Sequence, residues 1–189
     1  MRTALVFVLF ASAAFAQAPA AKGPALTGLA AVLDGQITTI EREVLALARK
    51  MPADKYDFAP ATGTPPAGTF DGVRTFGQQV RHIATVMYDF AARALNEQPP
   101  VSTAGPDENG PLDIKTKDQS VAYFEGALAY AHKAMRAVKA DMPQQQLQAA
   151  AFIAPHTNDH YGQMVVYARL NGVTPGGGPG PVKGKAKAK

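Results

Sequence analysis

The stretch "PHTNDHYGQMVVYARLNG", residues 155 to 172, sets two histidines four positions apart. Four residues along an α-helix bring a side chain back to the same face one turn higher, so His156 and His160 present both imidazoles to one side. Such a pair can reach one divalent ion with both nitrogens at about 2.1 Å. Gln163 and Tyr167 continue that side, while Met164 and Leu170 flank it, which turns the face toward a packed interior. The zincin protease pattern also needs Glu directly after the first histidine; Thr157 stands there, so that reading fails. Two imidazoles hold a divalent ion poorly, which makes a third ligand the discriminating requirement. The chain has no cysteine, which removes a thiolate ligand, a cysteine nucleophile, a disulfide and a lipoprotein anchor.

The remaining histidines are His82 and His132. His82 lies in "TFGQQVRHIATVMYDF", about 100° round a helical wheel from the centre of its apolar stripe. His132, in "YAHKAM", sits on the shoulder of another stripe. Either can be an ordinary structural histidine, and wheel geometry favours neither.

Helices must position these residues. Leu26, Leu29, Leu33, Ile37, Ile40, Val44, Leu47 and Met51 step by three or four, the stripe of one long amphipathic helix that Pro52 ends. A Pro/Gly-rich connection over 52–74 follows. Thr75 with Gln78 reads as a capping box opening a second helix, whose stripe is Phe76, Val80, Ile83, Met87, Phe90 and Ala94. Thr116 with Gln119 repeats the signal for a third, with Val121, Phe124, Leu128, Ala131, Met135 and Val138 inward and Pro143 as its close. After a Gln/Ala stretch of open helicity, Pro155 is expected as the first residue of the fourth helix, which ends at Asn171-Gly172. No segment alternates with period two. The expected fold is all-α, a four-helix bundle.

The two ends read differently. "MRTALVFVLFASAAFAQA" has the layout of a signal peptide over 1–16, cleaved after Ala16, because its apolar run is too short to span a bilayer. Residues 17–25 are a linker, 26–174 the bundle, and 175–189 a Gly/Pro/Lys-rich tail expected to be disordered. The net charge of +4 is concentrated at those ends: Arg2 and four tail lysines account for five of the 19 basic residues, which leaves 14 against 15 acidic ones. The body therefore offers no electrostatic case for nucleic acid.

Assembled, the segments resemble the DinB-like family, the YfiT-type metalloenzymes. The resemblance is carried by "LARKMPADKYDFAP", "RTFGQQVRHIA" and "HTNDHYGQMVVYARLNGVTP", and it spans about residues 26 to 175. It implies a DinB-like bundle of four helices with a three-histidine metal site: His82 from the second helix, His156 and His160 from the last. It passes over His132, which then reads as a surface residue. Three imidazoles leave a coordination position open, the arrangement of a catalytic site. Zn²⁺ is the first expectation and Ni²⁺ the second, since imidazole suits both. Asp89, Asp159 and Gln163 are the candidate acceptors for the far ring N–H groups.

Relatives implied by the resemblance include thiol S-transferases using bacillithiol or mycothiol and a glutathione-dependent maleylpyruvate isomerase. Export to the periplasm or beyond would separate this chain from those cytoplasmic thiols. Two readings follow: a metal-dependent transferase or hydrolase acting on an unidentified small molecule, or a non-enzymatic bundle that binds metal or a small ligand. No catalytic side chain beyond the metal site is assigned. Stable membrane insertion is not expected, and a homodimer is compatible with the sequence.

Overall fold

The computed structural model describes residues 26–61 and 70–176. The expected signal peptide, the 17–25 linker, residues 62–69 of the first connection and the tail from residue 177 onward lie outside the described residues. Within them the protein is all-helical, with four long helices and no strand. None of these helices is long and apolar enough to cross a membrane.

Helix α1 is continuous but not uniform: it is α-helical over Gly28–Ile40, π-helical over Glu41–Leu45 and α-helical again over Ala46–Lys50. Its stripe from Leu33 to Met51 is buried as the periodicity requires, whereas Leu26 and Leu29 are exposed. The π turn inserts a residue into the helical repeat and accompanies a wider buried face, on which Val44, Leu45, Leu47 and Ala48 all face inward. Pro52 ends the helix, and the chain doubles back so that the Tyr56 hydroxyl donates to the carbonyl of Ala48 at 2.7 Å.

That return leg docks onto the start of α2, Phe76–Leu95. The Phe76 and Gly77 N–H groups donate to the carbonyls of Phe58 and Tyr56 at 2.8 and 2.7 Å, which satisfies donors that a helix start leaves orphaned. The approach requires glycine at 77, where a Cβ would stand 3.0 Å from the Tyr56 ring and 3.1 Å from its carbonyl oxygen. The capping box forms as expected, with Gln78 N–H on Thr75 Oγ1 and Thr75 N–H on Gln78 Oε1. Helix α3, Lys117–Ala137, opens with the same reciprocal pair between Thr116 and Gln119.

Helix α4 departs from the sequence reading. It is a single helix, Gln144–Leu170, with Pro155 in its interior; Pro143 caps it and does not close α3, which stops at Ala137. Pro155 removes the hydrogen bond that residue 155 would give to the carbonyl of Ala151. Both residues are exposed, so water can take that carbonyl, and the Ala-rich run before Pro155 favours helix strongly. At the other end Gly172 adopts φ +73°, and the Gly172 and Val173 N–H groups donate to the carbonyls of Arg169 and Ala168, a Schellman ending.

Helix α2 packs on both α3 and α4, and α1 packs on the same two from the opposite diagonal, around one hydrophobic cluster. With neighbours on two sides, α2 buries far more than one stripe. Gln79, His82 and Thr85 lie in its buried surface together with the apolar residues.

Candidate metal centre

The packing of α2 against α4 brings His82 to His156 and His160. One nitrogen from each ring lies within 4.8 Å of the other two. Ring centroids are 5.1 Å apart for His82–His156 and 4.6 Å for both His82–His160 and His156–His160. His82 and His160 are buried and His156 is half-buried, so the cluster is approached from the His156 side.

Two of the rings are tied by their Nδ1 atoms. His82 Nδ1 lies 3.1 Å from the carbonyl oxygen of Glu108, an atom that can only accept, so the proton sits on Nδ1. His160 Nδ1 donates to Gln79 Oε1 at 2.7 Å, and Gln79 Nε2 in turn donates to Gln163 Oε1 at 2.8 Å. Both arrangements leave Nε2 with a bare lone pair, the form in which imidazole binds a metal. His156 is held by an aromatic contact: its ring lies 5.2 Å from that of Phe152, tilted by 30°, and Phe152 stacks on Phe90 at 4.3 Å.

The loop that presents the Glu108 carbonyl is bent. Asp107 and Glu108 both adopt left-handed backbone, at φ 54° and 55°, which disfavours residues other than glycine. Two arginines hold it: Arg74 donates through Nε to Asn109 Oδ1 and through Nη2 to the Asp107 carbonyl, each at 2.8 Å, and Arg81 Nε reaches the Asn109 carbonyl at 3.3 Å.

Burial disfavours the charged form of all three imidazoles, and their mutual proximity reinforces it. The His160 pKa is pushed down to about 4, by burial first and then by His82, His156 and Arg74. His82 is lowered by burial and by Arg74, and His156 by burial and by His82, with the carboxylate of Glu108 opposing in both. All three rings are therefore neutral near pH 7. Three neutral imidazoles with converging nitrogens could hold a divalent metal ion.

Among the expected acceptors, Gln163 acts one step removed, through Gln79. Asp159 bears on His156 and His160 only by its charge, and Asp89 makes no hydrogen bond to any of the three. The acceptors in contact are Gln79 and the Glu108 carbonyl. Gln79 had a usable sequence signal, since it lies three residues before His82 on the same helix face; the Glu108 carbonyl had none. His132 stands apart from the cluster, on α3 facing α1. It is not simply a surface residue: its Nδ1 is 2.6 Å from Asp34 Oδ1, to which Arg136 Nε also donates, and its Nε2 is 3.6 Å from Glu41.

No curated protein and no solved structure matches the chain. A family profile described as DinB superfamily matches residues 36–164, which runs from α1 through the three-histidine cluster. The chain therefore belongs to the DinB superfamily.

Proposed function

We propose that the protein binds one divalent metal ion through His82, His156 and His160 and acts as a metal-dependent transferase or hydrolase on a small molecule. The observation that carries this reading is the state of the donors: three imidazoles converge, and two of them are locked in the tautomer that leaves Nε2 bare. Zn²⁺ is the preferred ion and Ni²⁺ the second. A bound ion would supply Lewis acidity to whatever small ligand completes its coordination.

The protein groups have distinct tasks. Gln79 and the Glu108 carbonyl hold protons at Nδ1 and fix two ring planes, while Phe152 fixes the third. The carboxylates of Glu108 and Asp159, whose charges bear on the histidines, are the groups available to take a proton from a bound substrate. A purely structural ion would be enclosed; the half-buried His156 leaves a way in, which favours an enzyme over an inert binding bundle. The reading includes export, with cleavage after Ala16, and so favours a substrate outside the cytoplasm over a cytoplasmic thiol.

Metal content by plasma mass spectrometry on four single variants tests the assignment. His82→Ala, His156→Ala and His160→Ala should each lose the ion, and His132→Ala should retain about one per chain. Loss in His132→Ala with retention in His82→Ala would overturn the ligand set. Tight binding with no activity that a chelator abolishes would move the protein to the non-enzymatic reading.

A further inference from the structure

One turn before His156, Phe152 borders an open groove of about 510 Å³ between the last turns of α2 and the first turns of α4. Its apolar wall is Phe90 and Phe152, and its polar rim is Arg93, Asn96, Gln145 and Gln148. The wall is unusual for a surface. Phe152 is 40% exposed although it stacks on Phe90 and touches His156. Phe152 stacks on Phe90 through one face, and its exposed remainder offers the groove an aromatic surface against which another ring can pack.

The rim is equally uncommitted. Arg93 stands 4.6 Å over the Phe90 ring and pairs with no carboxylate among the described residues. A cation in a last turn can serve the helix's own carbonyls, but those of Ala92 and Arg93 already accept from the Glu97 and Asn96 N–H groups. The guanidinium fork is thus stacked on one side and open to an anion on the other. Across the groove α4 starts at Pro143 with no side-chain cap, which adds the positive end of a long helix to the same space.

We propose that this groove is a substrate subsite beside the metal centre and that it takes a small aromatic carboxylate. The carboxylate is held by Arg93, and the ring packs against the aromatic wall of Phe90 and Phe152. The groove's role as a substrate subsite rests on the metal-dependent reading above; its ability to bind such a ligand does not. The Phe90–Phe152–His156 contacts connect the two places, which sets the groove next to the half-buried ring of the metal centre.

The test is a titration with naphthoate and with its neutral counterpart naphthamide, followed by amide-resolved NMR on metal-free and zinc-loaded protein. Naphthoate should saturate with shifts centred on Phe90, Arg93 and Ala149 in both forms, and naphthamide should bind at least about tenfold more weakly. Arg93→Met should weaken naphthoate at least about tenfold while leaving naphthamide unchanged, and Arg93→Lys should fall between. Phe152→Leu should weaken both ligands. Equal naphthoate affinity in Arg93→Met, absence of saturation, or shifts mapping elsewhere would overturn the subsite. So would binding that appears only with zinc and vanishes in His160→Ala, because the carboxylate would then be on the metal. Groove binding without metal uptake would sink the metal reading and with it the substrate role, leaving a carboxylate-binding groove, whereas metal uptake without groove binding would sink the subsite alone.

Discussion

Gln79 offers the sharpest test of how the site is prepared. It is 2% exposed, with Oε1 on His160 Nδ1 at 2.7 Å and Nε2 on Gln163 Oε1 at 2.8 Å. Gln79→Leu keeps most of the volume and removes both polar atoms. His160 then has two options. It can keep its proton on Nδ1, leaving a buried donor unpaired at a penalty of about 1–3 kcal/mol. Alternatively it can shift the proton to Nε2, the atom that must be bare to bind an ion. Either route weakens metal binding, and loss of such a hydrogen bond to a ligating histidine typically lowers affinity about 10- to 100-fold, or about 1.4–2.7 kcal/mol. Gln79→Glu should behave oppositely. A carboxylate acceptor preserves the tautomer, makes the imidazole more basic and raises the His160 pKa from its depressed value near 4. Zinc affinity from competition with a chromophoric chelator at about pH 7 and nitrogen NMR of the imidazoles would read both effects. If Gln79→Leu kept affinity within about twofold and His160 stayed protonated on Nδ1, backbone placement rather than this hydrogen bond would fix the ligand.

Stability of the metal-free protein should fall as pH drops from about 6.5 through about 4, because the unfolded chain takes a proton that folded His160 refuses. The His160 contribution is about 3 kcal/mol, to be read as the difference in denaturant midpoint energies across that window; a flat profile would contradict it. Asp34→Asn should cost about 1–2 kcal/mol by loosening His132 and Arg136 between α1 and α3, and should leave metal content unchanged. Pro155→Ala should raise the melting temperature, since it returns a hydrogen-bond donor to the Ala151 carbonyl; a lower melting temperature would mean that the ring packs against α1. Intact mass of protein from its native host should correspond to a chain beginning at Gln17, and soluble protein retaining Met1–Ala16 would refute export.

Features decided within one turn of chain were legible in the sequence. The Thr75/Gln78 and Thr116/Gln119 boxes use only neighbouring atoms, and His156 and His160 share a face by helical arithmetic alone. What lay beyond one turn was not. His82 is ambiguous on a wheel because α2 is covered from two sides, so a flank position becomes interior. Pro155 carried a genuine local penalty, and the outcome depended on whether the deprived carbonyl could meet water. The Glu108 carbonyl reaches His82 only because Asp107 and Glu108 accept a left-handed backbone that no residue type there announces, held in place by Arg74 from the preceding connection.

The interior proline also bears on traffic through the site. The bond missing at Pro155 would have tied the turn of Ala151 and Phe152 to the turn that carries His156. Among the described residues His156 is the one ring of the three with no hydrogen bond of its own, whereas His82 and His160 are moored on their far nitrogens. Two rings are thus moored through hydrogen bonds, and the third is held by its contact with Phe152. An ion held by the three rings would be released on the half-buried His156 side. Exchange with a chelator in solution should accordingly be paced by the turn around Pro155, so Pro155→Ala, which ties that turn, should slow zinc release at nearly unchanged affinity.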